Sequence, residues 1–82
     1  MDQQELQRRA HDLDVTVWVG KSGIDAVTDE LNTQLENEPL IKVKFLRSAR
    51  AGEPTEEKAH SLAEQVNASV IDTRGHTAVV HR

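Results

Sequence analysis

The chain has 82 residues and no cysteine, with 14 acidic and 10 basic side chains for a formal net charge of −4. A chain this short makes one small domain that buries roughly 60–65% of its surface, which leaves little room for a deep substrate cavity. Without cysteine, disulfides, thiolate zinc sites and cysteine nucleophiles are all excluded, as suits a reducing compartment. No apolar run approaches the roughly 20 residues that span a bilayer, and the opening MDQQELQRR carries no apolar signal core. The expectation is a soluble, cytoplasmic protein with no membrane association.

Leu6, Ala10 and Leu13 recur at i, i+4 and i+7 and predict a helix over about residues 3–13. Asp2 is placed to cap it, with Glu5 three residues on. VTVWV then alternates: Val15, Val17 and Val19 face one way, Thr16 and Trp18 the other, as in a strand. Trp18 has two readings, a ring that stacks on a base or a core residue, and an alternating strand tryptophan is expected in the core. After the turn Gly20-Lys21-Ser22-Gly23, Ile24, Val27, Leu31 and Leu35 mark a second amphipathic helix with an acidic wet side. Pro39 ends it, because proline disfavours helical geometry in the residue before it.

LIKVKFL (40–46) reads as the second strand, with Ile41, Val43 and Phe45 on one face and Leu40, Lys42, Lys44 and Leu46 on the other. Residues 47–55 read as a loop by their Gly, Pro and Ser. Pro54 and Thr55 start a third helix, with Glu56 and Glu57 in its positive first turn and Ala59, Leu62, Ala63 and Val66 as its stripe. Two strands follow, SVIDT and TAVVHR, joined by a tight turn at Arg74-Gly75-His76. The order α-β-α-β-α-β-β defines an α/β (α+β) domain over residues 1–82, with a four-stranded mixed sheet and a terminal hairpin.

Three readings compete for GKSG. A Walker A loop needs a glycine five residues before the second glycine, and that position is Val15, inside a strand. A plain strand-to-helix turn is the ordinary use of glycine. A grip on a nucleic-acid backbone is the third: glycines admit a phosphodiester closely, the helix N-terminus favours an anion, and Lys21 and Ser22 add a charge and a hydroxyl. Lys42 and Lys44 either snorkel beside a covering helix or form an open basic platform. Bulk charge argues against nucleic acid, but a local patch decides contact, and the acids crowd into 25–38 and 53–64.

The histidines His11, His60, His76 and His81 show no metal-ligand spacing, and neither H-E-x-x-H nor G-x-S-x-G occurs. Neighbouring acids such as Asp29/Glu30 diverge by about 100° on a helix and do not form an acid/base dyad. No catalysis, cofactor or metal is expected. The rival to a nucleic-acid module is an acidic protein-interaction module that docks a basic partner such as a ribosomal protein.

GKSGI, then EPLIKVKFL, then a helix with AxxLA, then VIDTRGHTAVVHR, resembles the CRM domain in its stand-alone prokaryotic, YhbY-like form. LQRRAHDL (6–13) resembles the family's opening helix, and the likeness covers nearly the whole chain. It implies a fold similar to the C-terminal domain of bacterial translation initiation factor three. It also implies RNA binding and association with precursors of the large ribosomal subunit. The family's GxxG loop falls on Gly20, Lys21, Ser22 and Gly23, its basic strand on Lys42 and Lys44, and its final basic end on Arg82. The sequence departs from the family at Glu38-Pro39, Gly75-His76-Thr77 and His81-Arg82, and in its overall acidity. GKSG is therefore expected to hold the phosphates of structured ribosomal RNA. Arg8, Arg9, Arg47, Arg74 and His76 extend the track, on a protein expected to be monomeric.

Overall fold

A computed structural model describes residues 2–50 and 52–82, excluding the side chains of Gln3 and Arg50. Ala51, which the sequence assigns to the 47–55 loop, lies outside the described residues. The chain runs α1 (Gln3–Asp12), β1 (Val15–Val19), a 3-10 helix (Ile24–Val27), α2 (Thr28–Asn37), β2 (Leu40–Phe45), α3 (Arg47–Arg50), α4 (Thr55–Gln65), β3 (Ser69–Arg74) and β4 (Thr77–His81). The strands form one mixed sheet in the order β1-β2-β4-β3. β1 pairs parallel with β2, and β4 pairs antiparallel with both β2 and β3. The parallel pair is joined by the crossover through α2, and the terminal hairpin supplies the antiparallel pair, as the alternation of elements predicts.

Local chemistry sets the element ends. Asp2 accepts a hydrogen bond from the Glu5 amide at 2.8 Å and caps α1. α4 ends at Asn67, a left-handed residue (φ 55°) beside which the Ala68 amide donates to the Ala63 carbonyl at 2.9 Å. Pro39 stands directly between α2 and β2.

The two faces of the sheet are covered unequally. On one, the even-period residues Val17, Val19, Ile41, Val43, Phe45, Ala78 and Val80 pack under Leu31 and Leu35 of α2 and Ala59, Leu62 and Ala63 of α4. This is the main core, and its largest members are fully buried. On the other, α1 sets Leu6 and Ala10 against Leu40 and Val79, with Leu13 and Ile71 at the margin. Leu40 opens β2, so α1 rests toward the end of the sheet opposite the GKSG turn. Among the described residues no polar or charged side chain is buried, so the interior carries no unpaired polar group to compensate.

Three sequence expectations are corrected. Trp18 is not in the core: it is 53% exposed, because β1 is an edge strand and α1 does not cover its outer face. The predicted second helix is broken, since the Ile24–Val27 segment is 3-10 and Val27 (φ −112°, ψ 1°) separates it from α2. Residues 47–50 form one helical turn, α3, inside the expected loop. Leu46 falls just past β2 and is 38% exposed.

Candidate nucleic-acid interface

The GKSG turn leaves the C-terminal end of β1. The Gly23 amide donates to the Gly20 carbonyl at 3.0 Å and closes the turn, which leaves Lys21 and Ser22 exposed at its tip. Gly23 has φ 81°, a left-handed conformation that glycine adopts without strain. Gly20 differs. A Cβ there would meet only Leu46 Cδ1, at 3.8 Å, which is ordinary contact. The fold therefore does not require glycine at position 20.

The expected helix dipole is displaced. A single 3-10 turn, not α2, follows Gly23, so the first amides of α2 stand four residues beyond the loop. Any hold on a phosphate rests on Lys21, Ser22 and the turn backbone. One acid lies close in sequence: Asp25 is exposed and accepts from Gln65 Nε2 at 3.1 Å, which ties it toward α4.

Strand register sets the rest of the surface. Trp18 pairs with Lys44, Lys44 with Thr77, and Thr77 with Arg74, so four residues from four strands form one row across the sheet. Paired residues on adjacent strands project to the same face, here the α1 face at the GKSG end. Trp18, Lys44 and Arg74 are exposed and Thr77 is half-buried. Thr77 Oγ1 donates to the Arg74 carbonyl at 2.9 Å and braces the hairpin turn. Leu46 and Arg47 follow β2 at the same end, where the Leu46 amide donates to the Val19 carbonyl at 2.8 Å. His76 is tied to the row by its carbonyl, which accepts from the Phe45 amide at 2.7 Å.

The two lysines of β2 divide the alternatives that the sequence left open. Lys44 is exposed on the uncovered row. Lys42, one row nearer α1, is half-buried at the rim of a small cleft with His11, Asp72 and Val79. Arg74 has two neighbours: its Nε lies 3.5 Å from Asp72 Oδ2, and its Nη2 lies 3.1 Å from His11 Nε2. The salt bridge is largely exposed, so it leaves most of the Arg74 charge available at the surface.

The structure gathers Gly20, Lys21, Ser22, Gly23, Lys44, Arg47, Arg74 and His76 at one end. It does not bring all the expected cations there. Arg8 and Arg9 are exposed on α1, and Arg9 is engaged by Glu5 at 3.4 Å. Arg82 follows β4 at the opposite end of the sheet. Its Nε and Nη2 donate to the Val66 carbonyl at 3.0 and 2.8 Å, and Nη2 also donates to Asn32 Oδ1. That residue pins the end of α4 to the last strand. Sequence reasoning weighed Trp18 as a base-stacking residue but favoured the core, though its place opposite Val17 and Val19 in the alternation was the signal for the surface.

A concavity of about 530 Å³ is lined by Gly52, Glu53, Thr55, Glu56, Thr73 and His76. Among the described residues no three His, Asp or Glu side chains converge as a metal site. None of the helices described is long and apolar enough to cross a membrane.

A four-stranded mixed sheet with helices on both faces and an exposed lysine turn after its first strand defines a class of small sheet-based module. The chain belongs to the CRS1 / YhbY (CRM) domain family, whose pattern matches residues 1–82. It is 39% identical over 77 residues to a protein of Methanocaldococcus jannaschii described as a "probable RNA-binding protein". That alignment takes in 94% of this chain and 58% of the relative, so the chain spans little more than half of the relative's length. The solution structure of a Staphylococcus aureus protein, described as a "putative RNA binding protein", superposes with a TM-score of 0.81 at 28% identity. That superposition covers 98% of this chain and 82% of the other.

Proposed function

We propose that this protein binds RNA through its phosphate backbone at the GKSG turn and the adjoining sheet row, by contact and not by catalysis. The observation that carries this reading is the gathering of Lys21, Lys44, Arg47 and Arg74 at one end of the sheet in a chain of net charge −4. Cations brought together from four separate segments make a local positive field that the overall charge conceals. Family membership and the descriptions of the two relatives support the same reading. Lys21 and Ser22 hold phosphate at the turn, and Lys44, Arg47 and Arg74 carry the strand along the sheet. The ligand proposed is structured ribosomal RNA, in a precursor of the large subunit, recognised by shape and backbone.

The test is RNA binding across a salt series, with large-subunit ribosomal RNA fragments as probe. Neutralising three to five phosphates gives a log–log slope of about −2 to −4. The Lys21→Asp, Ser22→Asp double variant should stay folded by circular dichroism, since both side chains are exposed, lose roughly tenfold or more in affinity, and show a shallower slope. Equal binding by both proteins would reduce GKSG to a turn. A second reading rests on the acids Asp29, Glu30, Glu36 and Glu38, which are exposed on and just after α2 and suit a basic protein partner. It predicts that charge loss at Asp29 and Glu30 outweighs charge loss at Lys21.

A further inference from the structure

The backbone grip leaves one side chain unexplained. Trp18 and Leu46 are the exposed large hydrophobic residues of the described chain, and both stand at the GKSG end. Trp18 is also the protein's single tryptophan. An aromatic ring left 53% exposed forgoes burial that the fold could have used. It stands two residues before Gly20, its register partner is the exposed Lys44, and the row continues through Thr77 to Arg74.

We infer that Trp18 stacks an unpaired nucleobase beside the phosphates held at the GKSG turn, so that the RNA bound has a single-stranded segment at this site. The inference rests on the RNA-binding reading and sharpens it. A gripped backbone in a continuous duplex keeps its bases stacked inward, out of reach of a side chain on a flat sheet. An unpaired base instead presents a π-face to an open sheet, which is where an exposed aromatic is useful. Charge favours this occupant over a protein. The ring pairs with Lys44 on its own row and stands three residues before Lys21 at the turn, so an apolar ring and cations lie at the same end of the sheet, matching a nucleotide's base and phosphate. The row spans three strand spacings, about 14 Å, so cations and ring can engage successive nucleotides of one strand.

With a single tryptophan and no tyrosine, intrinsic fluorescence reports Trp18 directly. The probes are a single-stranded RNA of about ten nucleotides, within the usual site size, and the same strand with abasic positions that keep every phosphate. Binding is read independently by anisotropy of an end-labelled strand. The single strand should quench the tryptophan with the midpoint seen by anisotropy, and the abasic strand should bind more weakly. Trp18→Ala should lose roughly 5- to 100-fold in affinity with the salt slope unchanged, while Trp18→Phe keeps most of it. RNA that binds by anisotropy without quenching, equally to wild type and Trp18→Ala, overturns the stacking site and leaves the grip standing. No binding of any RNA overturns both. Tryptophan emission that shifts with protein concentration and not with RNA assigns this face to a second copy of the chain, and the stacking site falls.

Discussion

The two faces of the sheet carry different work. The face under α2 and α4 is closed, and it buries Val17, Val19, Leu31, Val43, Phe45, Leu62 and Val80 completely or nearly so. Its outer helices carry acids, including Asp29, Glu30, Glu36, Glu56, Glu57 and Glu64, all exposed. The face under α1 is closed only where Leu6 and Ala10 meet Leu40 and Val79. Beyond that contact Trp18 and Lys44 stay open, while Thr77 is half-buried and Arg74 reaches His11 of α1. A domain of this size has one full core, and the other face of its sheet is only half covered. The contrast also shows how an acidic chain can present cations: six of its 14 acids lie on α2 and α4 of the closed face, and the row on the other face carries Lys44 and Arg74, with Asp72 beside Arg74.

Deleting side chains on each face should separate the two. Leu62→Ala removes a fully buried side chain from the closed face and should cost about 2–5 kcal/mol, read from urea unfolding midpoints. Leu6→Ala, in the smaller α1 contact, should fall at or below the bottom of that range. Comparable losses would mean that the α1 contact is as integral as the main core.

The loop offers a finer comparison, between its two glycines. Gly23→Ala forces a Cβ into a backbone (φ 81°, ψ −176°) that only glycine readily adopts, and should cost about 1–3 kcal/mol and lower Tm by roughly 4 °C or more for a domain this small. Gly20→Ala meets no obstruction, should leave Tm within a few degrees of wild type, and should still weaken RNA binding because the methyl holds the backbone away. Unchanged affinity in Gly20→Ala would remove the close approach from the account.

The contrast between faces was only half visible in the sequence. Periodicity located α1, the first two strands and the buried stripe of α4, because apolar spacing tracks the face that packs, and the turn at Arg74-Gly75-His76 set off the last two strands. Asp2 and Pro39 marked ends through chemistry confined to a few residues. Which faces stay bare depends on strand order and on where α1 comes to rest, and neither is encoded in the spacing of one segment. Trp18 was misjudged for that reason: its alternation was read correctly, but the face opposite Val17 and Val19 has no cover at the edge strand. The 3-10 break before α2 escaped notice because Ile24, Val27 and Leu31 keep the same apolar spacing on either side of it. Arg82 looked like part of the cationic track until the antiparallel course of β4 carried it to the far end, where it serves the Val66 carbonyl. The row itself was legible as residues but not as a row, since register across four strands is a tertiary property.

The most direct test of the central claim is an amide chemical-shift map of the isotopically labelled protein as RNA is added. The account predicts that shifts concentrate at Gly20, Lys21, Ser22 and Gly23, the Trp18 indole, Lys44, Thr77 and Arg74, while Asp29, Glu30 and Glu64 stay in place. Shifts concentrated on α2 and α4, with the GKSG turn and Trp18 unmoved, would contradict it and place the contact on the closed, acidic face.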